Sequence, residues 1–318
     1  MKIGIQALGV VALEPEDKKE LGFKAISEAG FDGVDLSLES FYDTRSVSDA
    51  SVPCFYDRPP EELKKFFEPY ADECAKYGLT FLQAHAPFLN YTGDGAAWGH
   101  FTEIVKRSID IAGFLGSPYI VVHPLISGGE LEERRELELN RDYFMQLAPA
   151  AKSAGTRICI ENLFYYSGGT AKKCPFSEAE EAVDFIRELN SDVGAGIFKY
   201  CFDIGHATLL KQDVRSMINT VSDYLVVTHL HDNNGVRDLH ALPFSVISNW
   251  GSASCVDWGG FIQGMRDIAY DGILSFETAG IMLSMPEELK PGAMSYIART
   301  GKYLKEKIEG GKFDRETL

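Results

Sequence analysis

The chain has 318 residues, 45% hydrophobic and 25% charged, a globular balance with ample apolar material for a core. Thirty-one Lys and Arg against 47 Asp and Glu give a formal net charge of −16, which repels phosphate backbones and anionic membranes and disfavours a nucleic-acid partner. No apolar run approaches the length that crosses a bilayer, so no membrane partner is expected.

In chain order, "MKIGIQALGV" lacks the charged start, long apolar core and cleavage site of a signal peptide. It reads as a first strand over 2–8, in a protein expected in the cytoplasm. Short β-rich apolar runs recur at 33–38, 79–84, 119–123, 157–162, 199–204, 224–231 and 272–278, making eight predicted strands. Amphipathic stretches lie between them. In 60–78, Leu63, Phe66, Phe67, Tyr70 and Cys74 share one face, with Pro60 in the first turn and Gly78 at the end. The charge run 130–144, "ELEERRELELNRDYF", reads as a solvated helix face.

Strict alternation of strand and helix implies parallel strands joined by crossover helices. Eight such units in a chain of this length predict an α/β fold: one closed (β/α)₈ barrel, a single domain over 1–318. Two stretches without periodicity, 39–59 and 232–256, follow strands and read as lids or binding loops over the same face. The cysteines at 54, 74, 159, 174, 201 and 255 form no C-x-x-C pair, so neither a disulfide framework nor a thiolate zinc site is expected. Cys159 and Cys201 suit a crowded barrel interior better than a catalytic role.

In such barrels chemistry sits at the C-terminal ends of the strands. Read there, the strands deliver His85, His123, Glu161, Asp203 with His206, His229 with His231, and Glu277. Only His100, in a helical stretch, lies apart, and it reads as a surface or packing residue. Alternation puts Glu161, His229 and Glu277 at the barrel mouth, one layer above Cys159, Val227 and Ser275. Imidazoles and carboxylates converging from several strands suit a divalent cation such as manganese, cobalt, iron or zinc. Buried without one, they would leave costly uncompensated charge.

These segments, "GFDGVDLS", "HAPF", "VVHP", "IEN", "FDIGHA", "HLHDN" and the "ET" of 277–278, resemble in order and spacing the xylose-isomerase-like barrels. That superfamily includes sugar and sugar-phosphate isomerases and epimerases and the zinc-dependent apurinic endonucleases. The epimerase-like branch implies one divalent metal (Mn, Co, Mg or Zn) held by Glu161, Asp203, His229 and Glu277. It implies proton transfer beside a carbonyl through a metal-stabilised enediolate, with Glu161 and Glu277 exchanging the protons. His85, His123, His206, Asp238 and His240 then contact the substrate, a sugar, sugar phosphate or related polyol. Dehydration of a polyol belongs to the same class, and a barrel that binds without turnover is a further alternative.

The endonuclease-like branch implies three zinc ions with those same five residues as additional ligands; "DLH" at 238–240 supplies its D-x-H. The acidic chain and the non-basic loops "SGGE" (127–130) and "SGGT" (167–170) favour the sugar branch. One departure from the sugar pattern is "FSVISNWGSAS" (244–254), where such proteins carry a short glycine-rich turn. Aromatics expected around the mouth are Phe41, Tyr42, Phe55, Tyr56, Phe88, Phe164, Tyr165, Tyr166, Trp250 and Trp258. Arg237 and Lys199 are candidates for a substrate phosphate or carboxylate or for surface salt bridges, and His231 for a supporting or substrate contact. Exposed helices around barrels commonly pair, so a homo-oligomer is compatible with the sequence.

Overall fold

All eight predicted strands form in the computed structural model, which describes residues 1–14, 20–49, 51–247 and 254–310. They are β1 (Lys2–Gln6), β2 (Gly33–Ser37), β3 (Thr80–His85), β4 (Tyr119–Val122) and β5 (Arg157–Glu161), then β8 (Phe198–Asp203), β9 (Leu225–Leu230) and β10 (Ile273–Phe276). Between β5 and β8 lie two short strands, β6 (Phe164–Ser167) and β7 (Thr170–Lys173), paired as an antiparallel hairpin. The other eight close in the order β1-β2-β3-β4-β5-β8-β9-β10, every neighbouring pair parallel. This is the (β/α)₈ barrel that the alternation predicts.

Each barrel strand is buried on both faces, which is why its sequence reads as an almost continuous apolar run. Ile3, Ile5, Val34, Leu36, Ile120, Ile158, Ile160, Phe202 and Phe276 join the core against the helices. Leu82, Val121, Cys159, Cys201, Val227 and Ile273 form a second, small cluster inside the barrel. Helix Pro60–Lys76 buries Leu63, Phe67, Tyr70 and Cys74, while Phe66 is half-buried against Phe41 and Phe55. The acidic run becomes part of helix Glu133–Ala154. Its charged residues are solvated except Glu136, which is buried and accepts the Ser127 N–H, while Asn140, Tyr143 and Phe144 turn inward.

The stretch 39–59 is no open lid. It carries three single 3₁₀ turns, Leu38–Phe41, Thr44–Val47 and Phe55–Asp57, and its aromatics pack on one another. Tyr56 is fully buried and donates to the Leu38 carbonyl, and Tyr42 lies against Phe101. Trp258 is likewise buried, against Phe244 and Phe261. These residues therefore serve packing, the role that loop burial offers such aromatics as readily as substrate contact; Trp250 lies outside the described residues. The second stretch turns back on itself through a bridge between Asp232 and Ala241. The Asp232 carboxylate anchors its return by accepting the N–H groups of Ser245 and Val246 and the Ser254 hydroxyl.

The hairpin was not anticipated, although "YYSGGT" carries its signal. Gly168 and Gly169 both adopt positive φ, 58° and 80°, as a two-residue hairpin turn requires. Among the described residues no helix is long and apolar enough to cross a membrane.

Candidate active site

The nine residues singled out at the strand ends form one connected set of contacts. At its centre the buried His229 ring has its Nδ1 3.0 Å from Glu161 Oε1 and 3.3 Å from Glu277 Oε2. Strand register explains the meeting: Asp203 of β8 and Ser275 of β10 both align with His229 of β9. Glu277 follows just beyond β10, where its N–H bonds the Leu230 carbonyl of β9.

On one side, Glu161 Oε2 lies 3.0 Å from His123 Nε2 and 3.6 Å from His85 Nε2, and those two nitrogens are 3.1 Å apart. On the other, Asp238 Oδ2 lies 2.9 Å from His240 Nε2 and 3.3 Å from His206 Nε2. Asp203 links that side inward. Its Oδ1 accepts the His206 N–H and caps helix Ile204–Leu209, which leaves Oδ2 3.1 Å from His231 Nε2. His231 in turn stacks on His240 at 4.2 Å. Gly205 makes room for it, since a Cβ there would sit 2.1 Å from His231 Cε1.

Several imidazoles have their orientation set by the backbone. His85, His206 and His240 approach the carbonyls of Ala86, Asn162 and Glu277 through Nδ1, at 2.8, 2.8 and 3.1 Å. A carbonyl only accepts, so Nδ1 carries the hydrogen and Nε2 turns inward with its lone pair when the ring is neutral.

Charge follows from this crowding. Burial works to raise the Glu161 pKa, and the imidazoles of His229, His123 and His85 overcome it, holding the carboxyl well below its ordinary range. Burial likewise opposes ionisation of Asp203 and Glu277, yet His206 and His231 hold the first low, and His229 and His240 the second. Asp238 is held low in the same way, chiefly by His206. Burial tends to lower the histidines, but the carboxylates push His206 well up and His85 and His240 up to about 9, while the Cys201 sulfur together with Glu161 and Glu277 pushes His229 well up. His123 is the exception, lowered by burial.

A divalent cation fits this donor set. Among the described residues Asp238 Oδ1 is buried without a hydrogen-bond partner, and Glu161 Oε2 has only imidazole nitrogens beside it. Donor atoms of His85, His123 and Glu161 lie within 4.8 Å of one another, as do those of His85, His229 and Glu277 and those of Asp203, His206 and His231. Among the described residues the ion-pair partners of Glu161, Asp203, Asp238 and Glu277 are all imidazoles. Such a cluster calls for positive charge, and a cation supplies it at the lone pairs where protons otherwise sit.

Four further residues escaped the sequence reading because they come from the first strands, which offer no histidine before His85. The buried Gln6 donates to Glu277 Oε1 at 2.8 Å. Gln83 donates to Asp35 Oδ2 at 2.7 Å and lies 3.0 Å from His229 Nε2, while Asp35 itself stands 3.6 Å from that nitrogen. Burial raises Asp35 and brings Glu39, beside His85, up to about 7. The available signal was an acidic residue inside an apolar strand, "GVDLS". Lys199, of the two roles open to it, takes the surface one: it lies near the start of β8, at the opposite end of the barrel, over the Tyr224 ring. Arg237 is exposed with its guanidinium 5.4 Å from the Tyr166 ring centroid.

Aromatic rings flank the cluster. Phe88 stacks on His123 at 4.7 Å, and Phe164 meets His206 edge-on at 5.0 Å. Tyr166 ties the hairpin to the loop after β9, since its hydroxyl accepts the Asp238 N–H at 3.0 Å. The buried Cys159 and Cys201 are pushed up by burial, as befits packing residues, although Cys201 sits close beneath Glu161 and His229.

A closed parallel barrel with its ionisable side chains gathered at one mouth defines a broad class of enzyme scaffolds. Within it, the family model described as xylose isomerase-like TIM barrel matches residues 23–297, and the chain belongs to that family. The uncharacterized protein y4fM of Sinorhizobium fredii is 28% identical over 176 residues, 55% of this chain and 52% of that protein. The uncharacterized protein MJ1311 of Methanocaldococcus jannaschii is 25% identical over 211 residues, 63% of this chain and 65% of that protein. The chain thus matches between about half and two thirds of the length of these relatives. A D-psicose 3-epimerase crystallised in the presence of D-fructose shares the fold, with a TM-score of 0.65 over 98% of this chain and 100% of that one, at 18% identity.

Proposed function

We propose that this protein is an isomerase or epimerase of a sugar or related polyol, dependent on a divalent cation held by Glu161, Asp203, His229 and Glu277. The observation that carries the reading is the approach of two buried glutamates, each held below the ordinary carboxylate range, to a single buried point, His229 Nδ1, at 3.0 and 3.3 Å. A cation there would supply a Lewis acid for two neighbouring substrate oxygens. The chain's own residues do the rest. Glu161 and Glu277 take a proton from, and return one to, the carbon beside the carbonyl. Carboxylates held this low are weak bases, so their fixed placement must compensate. Gln6 steadies Glu277, and the Nε2 atoms of His85, His123, His206 and His240 face substrate hydroxyls. Phe88 and Phe164 wall the pocket and keep water from the reacting carbon. Related folds named for D-psicose, D-tagatose and L-ribulose 3-epimerase activities support the same substrate class.

A second reading has its own observation. The His85–His123–Glu161 and His206–Asp238–His240 groups flank the central one and present inward-facing nitrogens, as a three-zinc phosphodiester hydrolase would need. Metal content per chain, measured on protein purified without chelators, together with exchange of substrate carbon-bound hydrogen in D₂O across ketoses and aldoses, separates the two. About one ion and solvent exchange are expected. Two or three tightly held zinc ions, with cleavage of an abasic duplex and no exchange with any sugar, overturn the proposal.

A further inference from the structure

Away from the barrel mouth, and sharing no residue with it, three side chains from two elements converge. We propose that Cys54, Asp57 and His100 form a separate surface site for a soft divalent cation, zinc being the best match. Cys54 and Asp57 bracket the 3₁₀ turn Phe55–Asp57, closed by a hydrogen bond from the Asp57 N–H to the Cys54 carbonyl. This puts a thiol and a carboxylate side by side. His100 reaches them from helix Gly95–Phe114, with Nε2 2.9 Å from Asp57 Oδ1. One donor atom from each of the three lies within 4.8 Å of the others.

The donor set is what singles this place out. A thiolate, an imidazole and a carboxylate select zinc or cobalt over magnesium or calcium, and three protein ligands leave one tetrahedral position open. The three residues line a groove together with Ser46, Val47, Pro53 and Arg58, from which a fourth ligand could approach. The Arg58 guanidinium is drawn onto the Phe55 ring, 4.6 Å from its centroid. The ligand turn is held rigid on both sides. Phe55 packs on Phe41 and Phe66, buried Tyr56 donates to the Leu38 carbonyl, and Arg107 donates to the Arg58 carbonyl. Preorganised ligands lose little freedom on binding. The bound ion would clamp the β2 loop onto helix Gly95–Phe114, adding to the Tyr42–Phe101 contact, the Arg107 bond to the Arg58 carbonyl and the Asp57–His100 pair.

The test is residue-specific alkylation of the full chain by iodoacetamide, read by mass spectrometry with and without zinc. Zinc should slow modification of Cys54 about tenfold, because a metal-bound thiolate is a poor nucleophile. Cys174 and Cys255, also partly exposed, serve as internal references and should not change. His100→Ala should abolish the protection. As a second readout, Co²⁺ should give a near-ultraviolet sulfur-to-cobalt absorption that disappears in Cys54→Ser and survives in Glu161→Gln. Equal Cys54 modification with and without zinc, undiminished protection in His100→Ala, or an absorption that persists in Cys54→Ser each overturns the site.

Discussion

The same barrel strands carry two layers of opposite chemistry. The lower interior is Leu82, Val121, Cys159, Cys201, Val227 and Ile273, all buried and apolar. One step along β5 and β9 the inward positions become Glu161 and His229, equally buried but ionisable. Both layers are closed off from water, so the contrast does not come from exposure. The lower layer is stable by itself through packing and the hydrophobic effect, while the upper one is stable only if its charges find counter-charges. That difference marks where the barrel spends stability on function.

Four changes would break or sharpen this contrast. The largest effect is expected from Glu161→Gln, which removes a donor common to the central and His85–His123 groups. Turnover should fall about a thousandfold while the fold persists, checked by sugar assays alongside circular dichroism. Stripping the cation should come next: with ligand near a thousand times its Kd, chelation should cost about 4 kcal/mol of stability, seen as a lowered Tm. No change in Tm on chelation would mean that the upper layer balances its own charge. In the lower layer, Leu82→Ala should cost about 3 kcal/mol in urea unfolding yet leave the metal content unchanged. A smaller effect is expected of Asp35→Asn. With Nδ1 of His229 turned to a cation, its Nε2 needs an acceptor, and Asp35 Oδ2 is close by at 3.6 Å. Metal affinity should drop by about 10–100-fold, measured by competition with a fluorescent chelator.

Much of this was legible in the sequence because barrel strands announce themselves. The runs at 157–162 and 224–231 are largely apolar on both faces, and apart from Arg157 at the start their charged and imidazole side chains appear only towards the strand's end. Glu161, Asp203, His229 and Glu277 could be located for that reason. Asp35 and Gln83 could not, because inside β2 and β3 nothing distinguishes a residue that meets the His229 imidazole from an ordinary satisfied polar group. The aromatics of 39–59 stayed undecided for the opposite reason: a loop without periodicity gives no hint that Tyr56 will be buried. Lys199 was decided by its distance from Asp203, since near the start of β8 it belongs to the other end of the barrel.

The sequence alone determined the alternation, hence the closed parallel barrel, and the end of the barrel at which ionisable side chains collect, because continuous apolar runs between helical stretches and strand direction are local properties of the chain. Only the tertiary structure decided which side chains touch: that Glu161 and Glu277 both meet His229 Nδ1, that backbone carbonyls turn three imidazoles inward, and that Cys54 and Asp57 face His100. These depend on strand register and on loops joining residues far apart in the chain, and no local pattern encodes such distances.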